Sequence, residues 1–233
     1  MKGRPYVVEN SQYELWFGNQ SLNAGKACIY QNTANVAANV QPEQLAWIVY
    51  GANPSTWTLF KWNLDYAFAW IDQGPPRSSQ VESADLATAN SITLSYNDFG
   101  YLFGGKTAGT QGKLSVKEDD TVPSVNNTVV GIGMSRAGTF AVTASPNQNL
   151  VFTPVPDSEL SFLITFGPYK FQTGDVLDTA TLNPSGLVRF PSGVTSIIAI
   201  LNSANQWDIK PGRPSIAIRA DALVYKAGVG VVA

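Results

Sequence analysis

Residues 57–70 read Trp-Thr-Leu-Phe-Lys-Trp-Asn-Leu-Asp-Tyr-Ala-Phe-Ala-Trp. In an extended chain, successive side chains point to opposite faces, so every second residue shares a side. The face that includes Phe60 and Trp62 is aromatic, whereas the other face is small and polar, with Lys61 and Asp65 as its charges. We therefore predict a central strand. At about 3.3 Å per residue it would span about 46 Å, so we expect a bend, a bulge or a bridge between two sheets.

The rest of the chain consists of short strand-like segments. Alternating or apolar runs recur at intervals of about 8 to 15 residues, separated by turns that contain Gly, Pro or Asn. This spacing predicts an all-β fold of two packed, mostly antiparallel sheets, a β-sandwich resembling a jelly roll. The expected organisation of the 233 residues is an N-terminal extension (1–12), a single domain (13–225) and an apolar C-terminal tail (226–233).

Four local predictions accompany this fold. Strands at 13–17 and 26–31 should form a hairpin-like pair, 81–88 is the best helix candidate, and 215–219 reads as a strand. The glycines of 131–138 invite comparison with nucleotide-binding loops. Their spacing does not fit, and a strand follows where such a loop needs a helix, so a structural hairpin is predicted.

The composition excludes several classes of partner. Charged residues are only 14% of the chain, the net charge is -2, and no segment is rich in Lys and Arg, which argues against nucleic acid. No apolar run is long enough for a transmembrane helix. The single cysteine, Cys28, excludes an intrachain disulfide, and the first residues lack a signal-peptide pattern. We expect a cytoplasmic protein, or one exported without a recognisable signal peptide.

The chain contains no histidine. This absence argues against the Ser-His-Asp and Cys-His catalytic arrangements and removes the commonest ligand of transition metals, so no cofactor is predicted. Glu118, Asp119 and Asp120 are the candidate metal ligands, because adjacent carboxylates can collect around calcium. They lack the ligand order of an EF-hand, and a solvated acidic loop is favoured.

The polar face of 57–70 supplies the candidate site. A pair of carboxylates can hydrolyse glycosides without histidine when they lie about 5 Å or about 6.5 to 9.5 Å apart. Asp65 is the first candidate, with Lys61 beside it and Glu118 or Asp72 as a second acid. The favoured alternative is that Asp65 and Lys61 pair with neighbouring strands or with each other.

A binding site on the same face is the other possibility. Sugars are bound by aromatic stacking and by hydrogen bonds to amides and carboxylates, and Asn63, Asp65, Lys61 and Trp57 offer these groups. Other tryptophans are also available, although each is more often a core residue: Trp16, Trp47 and Trp207.

Several motifs together resemble the rhizosphere-induced protein family, also called RhiA-like. They are Tyr30-Gln31, Leu45-Ala46-Trp47, the run from Phe60 to Trp70, Gly131-Ile132-Gly133-Met134-Ser135 with Ala137-Gly138-Thr139-Phe140, and Phe152-Thr153-Pro154. The resemblance extends from about residue 13 to residue 207. It implies a soluble bacterial or fungal protein of plant- or host-associated life and transfers no catalytic residues. Val155 stands where the family pattern leads us to expect His.

These observations favour a non-enzymatic binding or interaction protein of a plant- or host-associated microbe. Its expected partner is a glycan or a protein surface, and self-association into a homo-oligomer is a further expectation. The alternatives are a carboxylate-dependent glycosidase and a host-directed toxin.

Overall fold

The structure is a computed structural model that describes residues 12–75, 77–226 and 230–232. Strands account for 51% of it and helices for 7%, and most strand pairs are antiparallel, so the predicted all-β class is confirmed. The number of sheets was predicted wrongly, because the described residues form four sheets and not two. Most of the predicted N-terminal extension, and residues 227–229 and 233 of the predicted tail, lie outside the described residues.

The strands follow one another along the whole described chain. In chain order they are β1 (Tyr13–Asn19), β2 (Gly25–Gln31), β3 (Val36–Ala38), β4 (Glu43–Gln44), β5 (Ile48–Ala52), β6 (Thr56–Trp62), β7 (Tyr66–Asp72), β8 (Ser79–Ser83), β9 (Ser91–Asn97), β10 (Gly100–Phe103), β11 (Leu114–Glu118), β12 (Thr128–Met134), β13 (Ala137–Thr143), β14 (Asn149–Pro154), β15 (Ser161–Gly167), β16 (Gly186–Arg189), β17 (Ser196–Leu201), β18 (Trp207–Pro211), β19 (Leu223–Lys226) and β20 (Gly230–Val232). The helical elements are α1 (Ile216–Asp221) and three 3-10 turns, Thr33–Asn35, Asp157–Glu159 and Thr179–Thr181.

The four sheets pack in two pairs, each around its own core. Sheet I has the order β18-β17-β1-β6-β19-β20 and faces sheet II, β16-β15-β2-β5, across a core that includes Trp47, Trp62 and Phe162. Sheet III, β10-β9-β11-β14-β3, and sheet IV, β4-β13-β12-β7-β8, enclose a second core that includes Phe68 and Phe140. Burial of these large aromatic side chains is the main stabilising contribution in both pairs.

The aromatic segment 57–70 passes from one core to the other. It is two strands, because β6 belongs to sheet I and β7 to sheet IV, with residues 63–65 outside regular structure between them. The Phe60 and Trp62 rings of β6 enter the first core and the Phe68 and Trp70 rings of β7 enter the second, while Tyr66 packs against both. The expected bridge between two sheets is therefore confirmed, and the single central strand is not.

Two loops join the pairs of sheets. Gln73, after β7, donates from Nε2 to the carbonyl of Gly174 at 3.0 Å and accepts from the N–H of Val176 at 3.1 Å. Arg77 forms an ion pair with Asp175 beside them. These contacts hold the edge of sheet IV against the loop between β15 and β16.

We expect Gln73→Ala to lower the free energy of unfolding by about 2 kcal/mol, because it removes two hydrogen bonds worth about 1 kcal/mol each. Urea unfolding followed by tryptophan fluorescence measures the difference. The matched control is Gln111→Ala, at an exposed position whose side chain bonds no other described residue. Equal stabilities of the two variants would contradict a role for Gln73 in joining the sheet pairs.

Three of the local predictions are wrong, and each has a local cause. Strands β1 and β2 lie in different sheets, so they do not form a hairpin. Residues 81–88 contain the end of β8, whose polar sequence pairs with β7, followed by a turn in which Asp85 caps the N–H groups of Ala87 and Thr88. Residues 215–219 begin α1, with the Ser215 hydroxyl at the N-cap.

The prediction for 131–138 is confirmed, since β12 and β13 form a hairpin there. Its two-residue turn, Ser135 and Arg136, has φ values of 48° and 63°. Two successive left-handed residues match the twist of a hairpin but are strained for side chains other than glycine. The turn therefore needs support from elsewhere in the chain.

Candidate functional site

A cleft of about 480 Å³ opens at one end of the sheet I and sheet II pair. The strands explain its position, because β1, β15 and β17 end there and β2, β16 and β18 begin there. Three connections, those between β1 and β2, β15 and β16, and β17 and β18, thus meet around one opening. The lining residues are Asn23, Ala24, Phe166, Gly167, Pro168, Asn183, Pro184, Leu201, Asn205 and Trp207.

Trp207, the first residue of β18, forms the aromatic wall of the cleft. Its Nε1 donates to the carbonyl of Pro184 at 3.0 Å, and its ring packs beside Phe17 with 5.8 Å between the ring centroids. A Cβ on Gly186 would lie 2.9 Å from Trp207 Cγ, so the glycine makes room for the indole. The ring is therefore held in place without a ligand.

Asn183 lines the cleft next to Pro184. Its Nδ2 donates to the carbonyl of Phe166 at 2.7 Å, and its backbone N–H donates to the Tyr169 hydroxyl at 2.7 Å. Gly167 permits this approach, since a Cβ there would lie 2.7 Å from Asn183 Nδ2. The Asn183 Oδ1 accepts no hydrogen bond within the described chain and stays available.

Two further amides line the cleft without internal partners. The side chains of Asn23 and Asn205 bond no other described residue, and both are exposed. Asn205 has φ of 57°, a left-handed conformation that asparagine tolerates better than most residues. The lining thus combines an aromatic ring and amide donors and acceptors, and it includes no ionisable side chain.

The predicted site residues lie elsewhere and have structural contacts. Lys61 Nζ is 3.3 Å from Glu14 Oε1, and Arg213 Nε donates to Glu14 Oε2 at 2.8 Å. Burial raises the pKa of Glu14, but the hydrogen bonds and charges of Arg213 and Lys61 outweigh it and leave that pKa below its usual value. Lys61 therefore pairs with the neighbouring strand β1, and not with Asp65.

Asp65 and Asn63 support the β12–β13 turn. The Ser135 N–H donates to Asp65 Oδ1 at 3.2 Å, and the Ser135 hydroxyl lies 3.3 Å from the same oxygen. The Asn63 N–H in turn donates to the Ser135 hydroxyl at 2.7 Å. Residues 63–65, between the two aromatic strands, thus stabilise the strained turn of the hairpin.

We expect Asp65→Ala to cost about 2 kcal/mol of folding free energy, because hydrogen bonds to a charged acceptor contribute about 1.5 to 3 kcal/mol. Thermal unfolding measured by circular dichroism tests this. Asp120→Ala, at an exposed carboxylate, is the control for loss of a charge. If the two variants unfold at the same temperature, Asp65 does not support the turn.

Trp57, the remaining predicted binding residue, is half-buried on the outer face of sheet I. It pairs in register with Gly18, and its ring covers that glycine, where a Cβ would lie 2.9 Å from Trp57 Cη2. It also packs against the small cluster formed by Trp16, Leu59 and Ile198. Its position is accounted for by packing within sheet I.

The candidate metal ligands point in different directions. Glu118 is buried at the end of β11, where one carboxylate oxygen accepts from the Ser145 N–H at 2.8 Å and the other has no partner within the described chain. Asp119 accepts from the Ser95 hydroxyl at 2.5 Å, on the outer side. Asp120 is exposed. Across the described ranges, no group of three or more Cys, Asp or Glu side chains is arranged to hold a metal ion.

No sequence pattern predicts the asparagines of the cleft. Asn23, Asn183 and Asn205 lie in connections, where no periodic pattern marks a residue as facing a cavity. Trp207 is among the tryptophans available for stacking, and the Asn183-Pro184 pair is the turn signal that can place an amide beside it.

Comparison with known proteins shows the family of this chain. The family model named RhiA matches residues 10–212. The chain belongs to the RhiA family. Protein RhiA of Rhizobium leguminosarum bv. viciae is 32% identical to it over 217 residues, which are 90% of each chain. No solved structure matches the chain significantly. The resemblance drawn from the motifs is confirmed.

The RhiA match covers every residue of the cleft and all the predicted site residues, and it spans the described strands from β1 to β18. The region that matches the RhiA family therefore includes strands of both pairs of sheets. Among the residues that the structure describes, no helix has the length and hydropathy that crossing a bilayer requires.

Proposed function

We propose that this RhiA family member is a non-enzymatic binding protein that takes a neutral glycan in the cleft beside Trp207. The observation that carries the proposal is the lining itself, which combines an immobilised indole with the Asn23 and Asn205 side-chain amides, neither of which has a partner in the described chain. A sugar offers an apolar face for stacking and hydroxyls for hydrogen bonds, so it complements this lining. The absence of charge from the lining favours a neutral ligand over an acidic or basic one.

The size of the cleft and its fixed ring support the same proposal. A volume of about 480 Å³ lies within the range of small-molecule sites, about 300 to 1,000 Å³. Because Trp207 is already fixed by Pro184 and Gly186, little conformational entropy is lost when a ligand stacks on it. The relationship to a protein of Rhizobium leguminosarum supports a plant-associated microbe as the source.

The cleft does not favour glycoside hydrolysis, since its lining includes no carboxylate. Asp65, the candidate catalytic acid, is half-buried against Ser135. A second function is therefore not proposed.

A glycan array followed by titration calorimetry tests the proposal. We expect binding of a neutral glycan, and a loss of affinity of at least about tenfold in Asn23→Ala combined with Asn205→Ala, because each lost hydrogen bond contributes about 1 kcal/mol. These exposed side chains make no bonds within the described chain, and alanine at the left-handed position 205 should cost only about 1 kcal/mol, so the fold should be kept. Trp207→Ala should weaken binding further, with circular dichroism confirming that it folds.

The control variants are Asn53→Ala, an exposed asparagine outside the cleft, and Trp57→Ala, on the outer face of sheet I. Both should bind as the natural chain does. Absence of binding to any glycan would contradict the proposal. If Trp57→Ala loses binding and the cleft variants keep it, the ligand binds instead near Lys61 and Trp57.

A further inference from the structure

Residues 183–185, which we call the rim segment, border the cleft beside Trp207. Both backbone polar groups of its first residue are held. The Asn183 N–H donates to the Tyr169 hydroxyl at 2.7 Å, and the Asn183 carbonyl accepts from the Thr165 hydroxyl at 3.1 Å. The two hydroxyls are themselves 2.8 Å apart. Asn183, Tyr169 and Thr165 therefore form a closed cycle of three hydrogen bonds.

The chemistry of these groups fixes the direction of each bond in the cycle. A carbonyl only accepts, so the single proton of the Thr165 hydroxyl is used on Asn183. The Tyr169 hydroxyl must therefore donate its own proton to Thr165 while it accepts from the Asn183 N–H. Removal of the Tyr169 hydroxyl alone would break two of the three bonds.

The Tyr169 ring has a fixed place beside sheet II. It stacks on Phe171 with 4.7 Å between the ring centroids and 19° between the planes, and Phe171 packs against the buried cluster that includes Tyr30. A Cβ on Gly167 would lie 2.9 Å from Tyr169 Cζ, so the glycine makes room for the ring. Thr165 is fully buried on β15. The hydroxyl cycle thus ties the rim segment to the buried part of sheet II.

The rim segment in turn holds the indole of the cleft. Trp207 Nε1 donates to the carbonyl of Pro184, the residue after Asn183, at 3.0 Å. The proline ring restricts φ, so a displacement of Asn183 is passed on to the Pro184 carbonyl. Tyr169 itself does not line the cleft. Its effect on a ligand would therefore pass through the residues that it positions.

We propose that Tyr169 is a positioning residue of the cleft, whose hydroxyl fixes the rim segment and, through Pro184, holds Trp207 in the orientation on which a glycan stacks. The expected effect on affinity rests on the proposed glycan function, whereas the link from Tyr169 to Trp207 needs no ligand. Without the hydroxyl, the Asn183 N–H has no partner within the described chain and the indole moves more freely. Ordering the indole again on binding then lowers the affinity.

The test is Tyr169→Phe in the full chain, which keeps the stacked ring and removes only the hydroxyl. Hydrogen exchange of the six tryptophan Nε1–H groups is followed by heteronuclear NMR, and Trp207→Phe identifies the Trp207 signal. We expect exchange at Trp207 to be at least about fivefold faster, the factor that one hydrogen bond contributes, and the other five signals to be unchanged. Calorimetry with the glycan found on the array should show affinity lowered by about the same factor.

Tyr50→Phe is the matched control, because the Tyr50 ring packs on Tyr225 and its hydroxyl bonds no other described residue. It should change neither quantity. Thr165→Val, which breaks the cycle from its buried side, should also speed exchange at Trp207.

Three results would overturn the proposal. They are unchanged exchange at Trp207 in Tyr169→Phe, equally faster exchange at all six tryptophans, which would indicate a general loss of stability, and a glycan affinity equal to that of the natural chain. If the natural chain binds no glycan, the glycan proposal fails, while exchange at Trp207 still decides whether Tyr169 positions it.

Discussion

Replacement of Gly133 by alanine is expected to prevent stable folding, at a cost above about 4 kcal/mol. An added Cβ would lie 2.7 Å from the Ala137 carbonyl carbon and 2.9 Å from Gly138 Cα, and it would overlap the Ala137 carbonyl oxygen. These are backbone atoms of the partner strand, so no side-chain rotation can relieve the overlap. The β12–β13 pairing shifts its register at this point, and the close approach is part of that irregularity.

The damage would extend beyond the hairpin. Just after Gly133, the Met134 carbonyl accepts from Trp47 Nε1 at 3.1 Å in the first core, and Ser135 bonds Asp65. Displacing β12 would thus disturb the place where both cores meet.

The measurement is soluble yield, followed by circular dichroism and urea unfolding of any protein recovered. Gly51→Ala is the matched control, because a Cβ there would meet only the Gly25 carbonyl oxygen, at 3.9 Å. We expect the control to be within about 1 kcal/mol of the natural chain. A Gly133→Ala variant as stable as this control would show that the hairpin can open without loss of the fold.

The second large effect concerns Glu118. Its side chain is 0% exposed, and burial raises its pKa from 4.5 to about 7, although the Ser145 N–H partly opposes the rise. Between these two values the folded chain keeps a proton that the unfolded chain releases, so the free energy of unfolding falls as the pH rises. Above pH 7 the loss is complete and amounts to about 3 kcal/mol.

Glu118→Gln should remove this pH dependence. The amide of glutamine keeps an oxygen that can accept from the Ser145 N–H. It also adds a donor near Gln148, because the Gln148 carbonyl accepts from the residue 118 N–H at 2.8 Å. The Gln148 Oε1 lacks a partner in the described chain and could accept from that donor. We expect the variant to match the natural chain near pH 4.5 and to be about 3 kcal/mol more stable at pH 8.

Urea unfolding at a series of pH values gives the difference directly, since the other titrating groups are common to both proteins. Glu43→Gln, on the exposed part of β4, controls for the loss of a carboxylate. A difference between Glu118→Gln and the natural chain that stays constant across this range would mean that Glu118 is not the group responsible.

Comparison of these features with the sequence shows what a local pattern can specify. The alternation in 57–70 identified buried aromatic side chains, because side-chain direction depends only on the neighbouring backbone. It did not reveal that Trp62 and Phe68 belong to different cores, since the choice of partner strand depends on residues far along the chain. The alternation in 57–70 therefore could not predict that the strands form four sheets.

The candidate site shows the same limit. The prediction that Lys61 pairs with a neighbouring strand is confirmed, because Lys61 forms an ion pair with Glu14 on β1. The partner of Asp65 is Ser135, seventy residues later, and nothing local in the sequence connects them. The cleft is harder still, because Asn23, Asn183 and Asn205 come from three connections that only the completed sheets bring together.

The order of the strands also bears on how the chain is completed during synthesis. All strands of sheets III and IV lie between Val36 and Pro154, whereas sheets I and II need strands from both ends of the chain. On the ribosome, which releases the N-terminus first, the second core can assemble while β1 still lacks β17, its parallel neighbour. Strand β1, the first of the described strands, is thus among the last to be enclosed, and until then its unpaired edge can pair with other chains and cause aggregation.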